Sequence, residues 1–281
     1  MDKPAGMTSH DVVDAVRKRL RTKKVGHAGT LDPDATGVLV LGVGRATRLL
    51  AFTQSAPKRY LARARFGVTT STQDASGEVL SRRQPAFTER ELEAAVSQFV
   101  GTIDQVPPMV SAVKVGGERL YKKARRGEDV ERPARTVTIY ELQTKDVDMD
   151  RHEVSFDVVC SGGTYIRTLV HDIGEALGCG GHLVSLRRTA AGGFLEDDAL
   201  DLEIVDQDAL RPLGEAVRDL QRVDIDEAAA AAVSHGRALP IEEFDVEVKE
   251  GENVAVFSNQ RLLGVYIRKA GSLVADRVLA S

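Results

Sequence analysis

Twelve residues near the start of the chain constrain it more than any others: Gly26-His27-Ala28-Gly29-Thr30-Leu31-Asp32-Pro33-Asp34-Ala35-Thr36-Gly37. The segment is too rich in Gly, Thr, Asp and Pro to form a regular element, so it reads as a loop. Three glycines and a proline then fix an unusual backbone path around one aspartate. Taken alone, Asp32 caps a turn ahead of Pro33, a common role for Asp before Pro. A backbone held this tightly is also how a carboxylate is presented to a ligand.

The flanking segments predict mixed structure. Residues 8–20 read as a helix capped by Thr8 or Ser9, with Asp11 in its first turn and Val12, Val13, Val16 and Leu20 as an apolar stripe. The apolar run 38–43 reads as a buried strand or a helix start, and 46–52 as helical. Residues 59–67 alternate as a strand, with Tyr60, Ala62, Ala64 and Phe66 on one side and Arg59, Leu61, Arg63 and Arg65 on the other. A polar loop is expected over 69–77, an amphipathic helix over 88–99, an irregular stretch over 106–113 and a basic helical turn over 119–127. Strands are expected over 135–144, 152–160 and 183–189, and a helix over 165–177.

Past residue 195 the composition changes. Residues 195–231 hold twelve Asp or Glu against three Arg, and read as acidic helical pieces. After Pro240 come short strands with frequent turns, which predicts a small appended β-barrel. The expected boundary lies near residue 221. The fold class is therefore α+β, a mixed and largely antiparallel sheet flanked by helices and loops over 1–220, with a small β-barrel over 221–281.

Charge is segregated. The net charge is −4, but residues 1–65 hold thirteen Lys or Arg against five Asp, a surplus of eight, leaving −12 on the rest. A basic face on an acidic body suits a polyanionic partner, and equally describes a solvated helix face. No apolar stretch reaches the ~18 residues of a spanning helix and no charged-then-apolar leader opens the chain, so a cytoplasmic protein is expected. Cys160 and Cys179 form no C-x-x-C and have no histidine pair at zinc spacing, which predicts ordinary buried thiols and no metal site.

Three further segments carry candidate chemistry. Lys58-Arg59-Tyr60 sets an aromatic ring among cations, either an ordinary strand or a stacking platform beside phosphates. Cys160-Ser161-Gly162-Gly163-Thr164-Tyr165-Ile166-Arg167 throws Tyr165 and Arg167 onto the mouth of a helix. Arg167 is a surface arginine, or it pairs with a carboxylate and favours its ionised form. Gly180 to Thr189, with Leu186-Arg187-Arg188, lines a base pocket or ends a core strand in surface charge.

Together with Lys3-Pro4-Ala5-Gly6-Met7-Thr8-Ser9, these segments resemble the TruB family of tRNA pseudouridine-55 synthases in order and spacing, from residue 2 to about 195. Residues 113–121 with 124–127 resemble the family's insertion that grips the tRNA arm, placed at about 105–130. The tail is similar, more weakly, to the RNA-binding β-barrel called PUA. Two departures stand out. The chain begins Met1-Asp2 without the family's usual apolar first strand, and the tail is acidic, with Glu242, Glu243, Asp245, Glu247, Glu250 and Glu252.

The resemblance implies an isomerase that converts uridine 55 of the tRNA T-loop to pseudouridine by base flipping, as a monomer without metal or organic cofactor and with no obligate protein partner. It implies Asp32 as the catalytic carboxylate, Arg167 as its ion-pair partner and Tyr60 stacked on the uracil and assisting removal of the C5 proton. Tyr165 and Leu186 would contact the base, and His27 would lie against the RNA. A guide-RNA-dependent pseudouridine synthase of the same superfamily and a non-catalytic RNA-binding or tRNA-folding module are the rival readings.

Overall fold

The computed structural model describes residues 1–279 except 112, 113, 121, 122, 124, 125, 127, 129, 234 and 235. The chain opens with β1 (Asp2–Lys3) and α1 (Ser9–Arg19). Thr8 caps α1 reciprocally with Asp11: the Asp11 amide donates to the Thr8 hydroxyl at 3.1 Å, and the Thr8 amide donates to the Asp11 carboxylate at 2.8 Å. Arg17, Lys18 and Arg19 fill the last turn, where positive charge complements the helix dipole.

Next come β2 (Val25–His27), β3 (Thr36–Val38) and β4 (Leu41–Val43). The apolar run 38–43 is thus split between two sheets, because β3 pairs with β1 while β4 pairs with β2. The helical reading of 46–52 becomes a 3-10 turn, Gly44–Arg48, followed by α2 (Leu50–Ser55). β5 (Lys58–Phe66) alternates strictly between buried and exposed, as its sequence requires. The polar loop at 69–77 is in part a hairpin of β6 (Val68–Thr70) and β7 (Val79–Arg82), strands too short for alternation to reveal.

α3 (Glu89–Ser97) and β8 (Gly101–Gln105) follow, then a two-residue pair, β9 (Lys114–Val115) and β10 (Glu118–Arg119). Most of the expected basic turn at 119–127 lies outside the described residues. β11 (Arg135–Asp148), β12 (Glu153–Cys160), α4 (Ile166–Ala176), β13 (Gly181–Ala191) and β14 (Phe194–Leu195) complete this part.

The main sheet runs β1-β3-β13-β5-β12-β11-β8, with β14 added to β13. Only β13 and β3 pair in parallel, so the sheet is mixed and largely antiparallel, as expected. Tyr60, Ala62, Ala64 and Phe66 of β5 meet Val154, Phe156, Val158 and Cys160 of β12 and the inward face of α4, Ile166, Leu169, Val170 and Ile173. Burying each large apolar side chain contributes roughly 1.5–3 kcal/mol. On the outer face, Arg63 and Arg65 both pair with Glu153, and Arg59 pairs with Asp157 at 2.6 Å.

The acidic segment after β14 holds three 3-10 turns, Glu196–Asp198, Leu202–Ile204 and Leu213–Val217, rather than α-helices. Its polar clusters, interrupted by Pro212, are too short to repay an α-helical nucleus. Beyond it, β15 (Gln221–Asp224), α5 (Glu227–Val233), β16 (Leu239–Pro240), β17 (Asn253–Ser258), β18 (Arg261–Lys269) and β19 (Ser272–Val278) form a second unit. Its curled sheet has the order β15-β17-β18-β19-β16. It docks on the first unit through Leu49 and Phe52, which pack with Val217, Ala255, Phe257 and Leu262. No helix among the described residues is long and apolar enough to cross a membrane.

Gly37 is where the sheet meets the Asp32 loop. Its φ is +100°, and a Cβ there would lie 2.2 Å from the Arg188 carbonyl oxygen. Gly37→Ala should therefore destabilise the protein by about 2–4 kcal/mol through backbone strain and the forced separation of β3 from β13. Thermal unfolding checks this, and an unchanged midpoint would contradict it.

Candidate active site

The N-terminal segment grips the Asp32 loop on both sides. Upstream, the Ser9 hydroxyl donates to the Leu31 carbonyl at 3.1 Å and accepts from the Leu31 amide at 2.9 Å. Downstream, the fully buried Lys3 ammonium donates to the carbonyls of Pro4 (2.8 Å), Met7 (2.6 Å) and Pro33 (2.8 Å). The Gly6 amide also donates to Pro33. Burial lowers the Lys3 pKa, partly opposed by the charges of Asp34 and Asp32. The loop is therefore fixed by buried hydrogen bonds whose loss would leave polar groups unsatisfied.

Arg167 reaches Asp32 from the first turn of α4, whose N-cap is Tyr165. Its Nε lies 3.0 Å from Asp32 Oδ2, and a terminal nitrogen lies 3.4 Å from Oδ1. The guanidinium also donates to the Thr72 carbonyl (3.0 Å), the Val110 carbonyl (3.0 Å) and Asp74 Oδ2 (3.1 Å). Asp74 is held in turn by the Thr72 hydroxyl (2.6 Å), the Ser76 hydroxyl (2.6 Å) and the Ser76 amide (3.0 Å). Arg167 is not a surface arginine: it is 4% exposed and lies between two carboxylates.

On balance, the Asp32 pKa is raised. Withdrawal of water by the pocket walls pushes it up most, the Arg167 guanidinium pulls it down, and Asp74 pushes it up again. The Asp32 side chain keeps 44% of its surface open through the pocket mouth, so solvent moderates this shift. Arg167 thus limits a rise caused by desolvation rather than producing a net fall.

Asp32 and Arg167 stand on the wall of a cavity of about 300 Å³, a size that holds a small ligand. Tyr60, Tyr165 and Leu186 line the same cavity, as do Lys58, Arg135 and Arg188. Tyr60 is 8% exposed, and burial pushes its phenol above the ordinary range, offset in part by Arg188. The Tyr165 backbone is clamped by Gln105, whose side chain accepts from its amide at 2.9 Å and donates to its carbonyl at 3.1 Å. His27 lies on β2, outside the cavity lining, where burial and the charge of Arg188 lower its pKa. A larger cavity of about 410 Å³, bordered by Met1, Val16, Leu20, Val40, Phe194 and Leu213, has mainly aliphatic walls and lies away from Asp32.

Sequence reasoning missed Asp74 and Gln105. Asp74 sat in a segment read only as polar loop, and its Thr-x-Asp-x-Ser pattern was the available signal. Gln105 is a polar residue closing a strand, and nothing local marks it. Among the described residues, no group of three His, Cys, Asp or Glu could hold a metal ion.

Fold and site together define a carboxylate-centred pocket with aromatic and aliphatic walls and cations around them. The family model for the TruB family pseudouridylate synthase N-terminal domain matches residues 17–166, and that for the tRNA pseudouridylate synthase B C-terminal domain matches 167–225. A tRNA pseudouridine synthase B of Ralstonia pickettii (strain 12J) is 43% identical, covering 99% of this chain and 92% of that protein. One of Streptococcus pneumoniae serotype 4 is 42% identical, covering 100% and 98%. Among solved structures, a chain of a Cbf5-Nop10-Gar1 complex superposes with a TM-score of 0.75 at 30% identity, covering 98% of this chain and 82% of that one. The chain belongs to the TruB family of pseudouridylate synthases.

Removing the Arg167 charge should let the Asp32 pKa rise further. With Asp32 read as a carboxylate that acts in its ionised form, the acid limb of the single-turnover rate should move to higher pH in Arg167→Met, and the rate at neutral pH should fall by about a hundredfold or more. An unshifted limb would contradict the ion pair's role.

Proposed function

We infer that this chain is a tRNA pseudouridine synthase that isomerises uridine 55 in the T-loop of tRNA. The bond from C1′ to N1 breaks, the uracil turns, and C5 is joined to C1′. Nothing is oxidised and nothing is lost, so the reaction calls for no redox cofactor. Among the structural observations, the one that carries this reading is the Asp32 carboxylate, paired to a buried arginine on the wall of a base-sized cavity with Tyr60, Tyr165 and Leu186 around it.

The roles that the family resemblance implies are compatible with these environments. Asp32, kept ionised by Arg167, attacks or stabilises the electron-poor centre. Tyr60 stacks on the flipped uracil and assists loss of the C5 proton. Its raised pKa makes it a poor base unaided, so a neighbour must share that proton. Tyr165 and Leu186 hold the base, and His27, outside the cavity, lies against the displaced nucleotides. Extrusion of the base costs a few kcal/mol, which contacts to the RNA arm must offset.

Residues 1–220 would form the catalytic domain, with the segment at about 105–130 gripping the RNA arm. Residues 221–281, with their curled five-stranded sheet, would form a PUA-like RNA-binding domain. The enzyme would act as a cytoplasmic monomer on the T-arm without an obligate protein partner. A non-catalytic RNA-binding module would have no task for the Asp32–Arg167–Asp74 arrangement, and no observation favours it.

Release of tritium from C5-labelled uridine in a T-arm stem-loop tests the reading. The wild type should release it, and Asp32→Asn should lose at least about a thousandfold in rate while stem-loop affinity stays within several-fold. Appreciable pseudouridine formation by pure Asp32→Asn would contradict the mechanism.

A further inference from the structure

Adjacent arginines on β13 have opposite fates. Arg187 points to the outer face of the sheet, where Asp2 (2.9 Å) and Glu196 neutralise it. Arg188 points inward and is 1% exposed, yet no carboxylate among the described residues pairs with it. Its Nε donates to the Val38 carbonyl at 2.7 Å and a terminal nitrogen donates to the Gly29 carbonyl at 3.2 Å. These contacts hold the group in place without cancelling its charge. A buried guanidinium stays protonated at any working pH, and leaving it unneutralised is costly.

Its surroundings indicate what that charge is for. Arg188 is the direct cross-strand partner of Tyr60, and it lines the same cavity as Asp32. Side chains opposite one another on neighbouring strands share a face at about 5 Å. The charge therefore lies beside the ring on which the uracil would stack, while Arg167 is already committed to Asp32 and Asp74.

We propose that Arg188 is a further catalytic residue, whose buried charge stabilises the uracil anion formed when the glycosidic bond breaks. This rests on the function inferred above. Cleavage leaves the N1–C1′ electron pair on N1, delocalised over O2 and O4, so the base becomes a monoanion. The deficit at C1′ is met by the Asp32 carboxylate or by the C2′ C–H pair with loss of that proton. C5 then supplies the pair that joins it to C1′, the Asp32 bond breaks or the C2′ proton returns, the C5 proton departs and N1 takes one up. The isomerisation balances. A positive charge fixed beside the base acts where negative charge develops, and costs no reorganisation at that moment.

The test varies the leaving group. Uridine and 5-fluorouridine stem-loops are compared in single-turnover cleavage of the N1–C1′ bond, because fluorine itself stabilises the departing anion. Arg188→Met should slow uridine cleavage by about a hundredfold, and 5-fluorouridine cleavage by about tenfold less than that. Arg188→Lys, which keeps a cation, should show the same pattern with smaller losses, and it carries the comparison if the Met variant does not fold. Equal losses on the two substrates would overturn the proposal. So would a loss confined to affinity for a pseudouridine-containing stem-loop, which would assign Arg188 to a phosphate instead. A wild type inert on both RNAs would overturn the functional reading itself, and this inference with it.

Discussion

The pocket around Asp32 depends on one buried guanidinium shared by two carboxylates. Arg167 bonds Asp32 on one side and Asp74 on the other, and two carbonyls take further N–H groups. The planar fork of arginine allows this, whereas a lysine would supply one point charge. The arrangement ties three distant parts of the chain together: the Asp32 loop, the turn between β6 and β7, and the first turn of α4. It also sets an electrostatic balance. Desolvation disfavours the charged form of Asp32 and the arginine favours it, and desolvation outweighs the arginine.

The sheet exists to hold that balance in place. β5 and β13 carry Tyr60, Leu186 and Arg188 to one face, and register decides which side chains meet. A slip of one residue would turn Leu186 and Arg188 to the outer face and bring Arg187 inward, away from Asp2 and Glu196. The N-terminal segment adds the last restraint, because Ser9 and Lys3 hold the backbone on either side of Asp32. The basic residues among the first 65 are not all free to meet a polyanion. Arg17 donates to the Val25 carbonyl and Arg19 to that of Val205, so part of the charge surplus is structural.

Much of this was legible in the sequence. The alternation of β5 and β12 and a cap for α1 at Thr8 or Ser9 follow from local rules, because periodicity and turn chemistry act within a few residues. The loop around Asp32 is shorter than read, since β2 takes Gly26 and His27 and β3 takes Thr36 and Gly37. The Asp32–Arg167 pair followed from motif order, since the two lie 135 residues apart and no local rule joins them. Asp74 and Gln105 stayed hidden because their roles arise only when distant segments meet. The short hairpin of β6 and β7 and the 3-10 turns after residue 195 were misread for a related reason: elements of three to five residues are fixed by tertiary contacts rather than by propensity.

The claim that Arg167 acts as a shared counter-charge is tested most directly by a double-mutant cycle. Single-turnover rates would be measured for Arg167→Lys, Asp74→Asn and the double variant on one T-arm stem-loop. The account predicts strong coupling, with the double variant losing far less than the two single losses combined, by at least about tenfold. Independent losses that simply multiply would contradict it, because Arg167 and Asp74 would then not act through a common network on Asp32.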